Sequence, residues 1–200
     1  YSAALRLKNI KTKETFPVTG LPENLRANSP QWSQDGSKVA FLHYGPGRVD
    51  LYVITVADRS AAKVNTAALS ATSGNTFAWV DNHTLLYKTV PAGIGELPVA
   101  PPAPKGPVVQ QNLGKSAASR TYQDLIKNPH DETLFSYMAT SQFVVNDGQN
   151  EKPLGPPSVV TSFSVSPDKQ YLLVRRVEKP YSYLVPVYGF PHTWLVLDMR

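Results

Sequence analysis

The 200 residues carry 20 Lys and Arg against 15 Asp and Glu, a net charge of +5, with 42% hydrophobic and 18% charged residues. That balance excludes disorder and fibrous repeats, and no apolar run approaches the roughly 18–20 residues of a membrane span. Zero cysteines exclude disulfides, thiolate nucleophiles and sulfur-bound zinc, and the four histidines, at 43, 83, 130 and 192, are too far apart for a local metal motif.

Taken in chain order, ALRLKNI (4–10), a KTKE turn and TFPVTG (15–20) read as the end of a sheet unit occupying residues 1–28. SPQWSQDGSKVAF (29–41) then places a short apolar stretch ending at Trp32 before Asp35-Gly36 and an alternating run. Asp-Gly between hydrophobic runs is a hairpin signal, because both residues tolerate the positive φ of a tight turn. VDLYVITV (49–56) alternates with period two and reads as a further strand.

The same pattern recurs three times. AWVDNHTLLY (78–87), HDETLFSY (130–137) and FSVSPDKQYLLV (163–174) each place an Asp four and six residues ahead of apolar positions. These positions are Leu85 and Tyr87, Phe135 and Tyr137, and Leu172 and Val174, matching Val39 and Phe41 after Asp35. Spacings of 46, 50 and 37 residues between successive Asp residues scatter about the size of a four-stranded propeller blade. The expected fold is all-β, a partial β-propeller of four-stranded antiparallel blades. The units are 29–75, 76–120, 121–160 and the start of another at 161–200. Residues 97–107, with five prolines, form an extended loop, and 116–127 is the one expected helix. An arc of this length cannot close a ring, so the sequence reads as a segment of a larger protein.

Within that frame the tryptophans are packing residues and Asp35 and Asp168 are turn formers rather than catalytic acids. His83 and His130 fall in blade turns. No GxSxG elbow, phosphate-cradling loop or Ser/His/Asp set is present, so no catalytic residue, metal or cofactor is assigned. Basic residues interleave with acidic ones and no nucleic-acid motif accompanies them. One stretch stands apart: RRVEKPYSYLVPVYGFPHTW (175–194) gathers Arg175 and Arg176 with Tyr181 and Tyr183, a combination suited to gripping a carboxylate. The bland alternative is a surface pair neutralised by Glu178.

The stretches 29–41, 120–142 and 164–193 together resemble the N-terminal propeller of glutamyl endopeptidases, a branch of the prolyl oligopeptidase family of serine peptidases. The resemblance covers nearly the whole chain. It implies a propeller capping a C-terminal α/β-hydrolase domain that carries Ser, Asp and His, with peptides as substrates and cleavage after Glu. This chain lacks that catalytic domain, so its share would be gating and specificity, with Arg175 and Arg176 as candidates for the substrate carboxylate. The resemblance also points to a periplasmic or secreted protein. The competing reading is a non-enzymatic cell-envelope propeller that binds other proteins.

Overall fold

A computed structural model describes residues 1–100, 102 and 125–200. Its strands are β1 (Arg6–Lys8), β2 (Thr15–Pro17), β3 (Ala27–Trp32), β4 (Lys38–Gly45), β5 (Arg48–Thr55) and β6 (Ser60–Lys63). They continue with β7 (Phe77–Trp79), β8 (Leu85–Thr89), β9 (Thr140–Asn146), β10 (Glu151–Val165), β11 (Tyr171–Val177) and β12 (His192–Asp198). One helix, α1, spans Pro129–Ala139.

Strands β3 to β6 form a four-stranded antiparallel meander. The second unit is β7-β8-β9 completed by the first part of β10, and the third is the last part of β10 with β11 and β12. Strand β10 therefore serves two blades. Residues 151–159 pair with β9 and 160–165 pair with β11. The register with β9 shifts between Leu154 and Ser158, where Pro156 and Pro157 cannot donate to a ladder and the strand turns out of one sheet into the next.

Period-two alternation packs the units face to face. Val39 and Phe41 look back toward the N-terminal segment, where Leu5, Leu7, Val18 and Leu25 cover them. Leu85 and Tyr87 look back at Ala40, Leu42 and Leu51 of the first sheet. Leu172 and Val174 look back at Leu86 and Phe143 of the second. The positions four and six residues beyond each turn Asp thus form one half of each seam between blades, as the sequence pattern anticipates.

The Asp residues hold their turns. Asp35 Oδ1 accepts from Ser37 N at 3.0 Å and Ser33 Oγ at 2.7 Å. Asp81 Oδ1 accepts from His83 N and Thr84 N, both at 2.7 Å, and Asp168 Oδ1 accepts from Gln170 N at 3.2 Å. Neighbouring turns also touch, since Asp35 N donates to Asn82 Oδ1 at 3.0 Å.

One expected unit is not a blade turn. Residues 130–137 lie inside α1, so Asp131, Phe135, Tyr137 and His130 are helical. Asn128 caps the helix by accepting from Asp131 N at 2.9 Å, Pro129 occupies its first turn and Asp131 and Glu132 face its positive end. Because β8 pairs directly with β9, residues 76–120 and 121–160 do not each build a blade; they contribute to one blade interrupted by a long insertion between its second and third strands. The helix expected over 116–127 lies outside the described residues through 124, and 125–127 are not helical. Of the proline-rich loop 97–107, residues 97–100 and 102 are irregular, as expected, and the rest lie outside the described residues. Trp79 is half-buried and donates to the Gln31 carbonyl at 3.2 Å, whereas Trp32 and Trp194 are 61% and 55% exposed.

Candidate functional site

Antiparallel pairing puts every connection between second and third strands on the face opposite the Asp turns. In the first blade this connection is the tight turn at 46–47. In the second it is the insertion 90–139 with α1, and in the third it is the loop 178–191. The described parts of the elaborated loops are therefore gathered on one face of the arc.

They are locked to each other. Phe135 of α1 meets Tyr181 edge-on at 4.9 Å and Phe190 at 5.6 Å between ring centroids, while Tyr181 and Phe190 stack at 5.5 Å. The two loop residues, with Ile126, Ala139, Val159 and Val177, make a separate apolar cluster above the sheets. Ser136 Oγ donates to Tyr181 Oη at 3.2 Å, and Tyr183 Oη donates to Glu132 Oε2 at 3.2 Å. Burial and the adjacent Glu132 carboxylate push the Tyr183 hydroxyl pKa up, so it stays protonated as a donor.

The four residues picked from the sequence are placed by this arrangement. Arg175 and Arg176 are consecutive on β11 and so project to opposite sides of the sheet. Arg176 pairs with Glu178 at 2.7 Å, and that contact holds the Glu178 carboxyl below the usual range. Arg175 stands beside Trp194 of β12, with Nη2 3.5 Å from the Tyr188 carbonyl and 3.2 Å from His192 Nδ1. Tyr181 is 7% exposed inside the aromatic cluster, and Tyr183 is 38% exposed at its rim. Their opposite directions set Arg175 and Arg176 apart among the described residues, so the two do not reach one carboxylate together from β11.

Sequence reasoning did not find the concavity the loops create. A cleft of about 620 Å³ opens beside α1, lined by Tyr44, Val49, Leu69, Val90, Ile94 and Met138 among others. Its walls come from the first blade's tight turn, the residues leading into the second blade, and both ends of the insertion. No local motif could have announced it, because its sides are more than 90 residues apart in the chain. The cleft is mainly apolar, and its Arg48 is engaged by Asp50 at 2.6 Å. Among the described residues, no group of three or more His, Asp and Glu could hold a metal. The described part of the cleft offers shape and apolar surface.

Repeated antiparallel sheets joined outer strand to inner strand, with seams that repeat residue for residue, define a β-propeller. No protein-family model matches the sequence. The chain is 40% identical over 186 residues to a probable chloroplastic glutamyl endopeptidase of Oryza sativa subsp. japonica, covering 87% of this chain and 20% of that protein. It is 38% identical over 185 residues to the corresponding Arabidopsis thaliana protein, covering 87% and 19%. Among solved structures, a Pyrococcus horikoshii acylaminoacyl peptidase superposes with a TM-score of 0.50 at 14% identity, over 97% of this chain and 26% of that one. A prolyl endopeptidase structure gives 0.50 at 14% identity, over 86% and 22%. The chain is a propeller region related to part of the probable glutamyl endopeptidases, and it spans about a fifth of the length of these plant relatives. No helix among the described residues is long and apolar enough to cross a membrane.

Proposed function

We propose that this chain contributes to the propeller of a serine endopeptidase that cleaves peptides after Glu. In this reading an α/β-hydrolase domain of the same polypeptide performs the chemistry, and the loop-bearing face restricts entry and shapes specificity. The observation that carries it is the 40% identity to a probable glutamyl endopeptidase across 87% of the chain. The geometry agrees with a gating role, since α1 and the loop 178–191 are fastened together by Phe135, Tyr181 and Phe190, and the ends of the second blade's insertion line an apolar cleft. A cap of this kind discriminates substrates by admission rather than by reaction.

The test uses the full-length polypeptide with a fluorophosphonate probe, which marks activated serines, and matched peptides carrying Glu, Gln or Asp before the scissile bond. Labelling together with preferential cleavage after Glu is expected. A protein that neither labels nor cleaves overturns the reading, and one that labels but ignores Glu overturns its specificity. The same reading proposes the periplasm or the outside of the cell as the protein's location, whereas the plant relatives are chloroplastic by name. Cell fractionation tests this, and a pool that follows a cytosolic marker overturns it.

A further inference from the structure

The seams between blades have a second half, formed by the positions five and seven residues beyond each turn Asp. These are Ala40 and Leu42, then Leu86 and Lys88, then Leu173 and Arg175. Across the ladder the third strand adds a pair to each: Val53 and Leu51, Val145 and Phe143, Val196 and Trp194. Three equivalent quartets result. The first is covered by the second sheet, with Ala40, Leu42 and Leu51 no more than 2% exposed. The second is covered by the third sheet, with Leu86 at 0%, Lys88 at 1% and Phe143 at 4%. In the third, Leu173, Trp194 and Val196 are 39%, 55% and 66% exposed.

Both later quartets carry a cation at the same place. Lys88 is served by the Ser73 carbonyl, which belongs to a loop at 71–75 that departs from the ladder just before β7. Strand β10 enters the third sheet with no comparable loop; Arg175 reaches the Tyr188 carbonyl and His192 Nδ1 through Nη2 alone, at 3.5 and 3.2 Å. Its Nε is shielded from solvent and has no partner among the described residues. Glu178 is not available to it, being held by Arg176 on the other side of the sheet. A guanidinium flanked by Leu173, Val177 and Trp194 calls for a negative charge presented from above the sheet, and a carboxylate fits its fork.

We infer that the quartet of Leu173, Arg175, Trp194 and Val196 is a further seam, covered by another antiparallel sheet of the same polypeptide that brings a carboxylate to Arg175. Arg175 then joins blades and does not bind substrate. This is independent of whether the protein is a peptidase.

The test is made in the full-length polypeptide, by hydroxyl-radical footprinting of the wild type and by thermal unfolding of Arg175→Met and Arg175→Lys. Trp194 is expected to be protected from oxidation relative to the urea-unfolded polypeptide. Arg175→Met, leaving a covered carboxylate unpaired, should lower the midpoint by about 2 °C in a polypeptide of that length, with Arg175→Lys recovering part of the loss. The KM for a Glu peptide should be unchanged in the lysine variant. Trp194 oxidised as in the unfolded polypeptide overturns the seam. A methionine variant with an unchanged midpoint overturns the carboxylate pairing, and a raised KM alongside that unchanged midpoint assigns Arg175 to substrate instead.

Discussion

Lys88 shows what a single residue can cost a fold and what it can hold in place. It is 1% exposed, and burial brings its pKa down from 10.5 to about 8. The folded chain therefore binds this proton less tightly than the unfolded chain, so between about pH 8 and pH 10.5 unfolding takes up protons and stability rises with pH. Below about pH 8 the whole penalty applies, on the order of 3 kcal/mol. Replacing Lys88 with Met removes it but strands the Ser73 carbonyl, which costs about 1–2 kcal/mol. The expected net result is a gain of about 1–2 kcal/mol at pH 7 that shrinks toward pH 10, read from urea midpoints at the two pH values. Asp35 has the opposite sign. The Ser37 N–H and the Ser33 and Ser37 hydroxyls hold its carboxyl at about 2, so its contribution is present above the ordinary carboxylate range and is lost as pH falls toward 2. An Asp35→Asn variant should be less stable than wild type at pH 7, with the difference gone near pH 2 in an acid titration followed by circular dichroism.

At the scale of elements, local grammar and pairing part company. The turn Asp offsets were legible because a strand alternates with period two, and the residues that face the preceding blade repeat at fixed distances whatever the loops do. The same offsets misread HDETLFSY, in which Phe135 and Tyr137 satisfy a strand spacing while the backbone is helical. The better signal lay just upstream: Asn128-Pro129 followed by Asp131 and Glu132 is a helix start, with cap, fixed φ and first-turn acids in sequence. Asn128→Ala should therefore cost about 1 kcal/mol and speed amide exchange across α1 without touching β9, a contrast that hydrogen exchange resolves. Arg175 and Arg176 make the same point for the site. Adjacent residues in a strand oppose each other and residues two apart share a side, so Glu178 beside Arg176 was legible once the strand was accepted, whereas the Tyr188 carbonyl and His192 beside Arg175 were not. The loop at 71–75 has no sequence mark beyond Gly74. With φ +59, Gly74 leaves no room for a side chain, since a Cβ would lie 2.0 Å from the Thr161 carbonyl oxygen. Gly74→Ala is expected to lower stability by about 2–4 kcal/mol through strain and that clash, measured as a fall in the thermal midpoint.

Across the whole molecule, the arc keeps its strand ladders independent of its insertions. Strand β8 pairs with β9 over Leu85–Thr89 although 50 residues separate Thr89 from Thr140. The blade is held by contacts that do not involve the inserted chain: Asn146 Nδ2 donates to Tyr87 Oη at 3.1 Å and to the Val64 carbonyl at 2.8 Å, and Tyr87 Oη donates to Glu151 Oε1 at 2.9 Å. Glu151 Oε1 also accepts from Thr66 N at 2.7 Å, which fastens the link between the first two blades. Replacing 91–138 with a short turn should therefore leave an all-β circular dichroism spectrum and cooperative unfolding. The midpoint should fall by a few degrees, because Tyr181 and Phe190 lose the Phe135 ring and part of their cover. If the insertion gates entry, the shortened full-length protein should cleave longer peptides relative to short ones faster than wild type does, with its fluorophosphonate labelling intact. Unaltered selectivity with a stable fold would assign the insertion to bracing the face, because the ladder and the polar network would have survived while admission stayed the same.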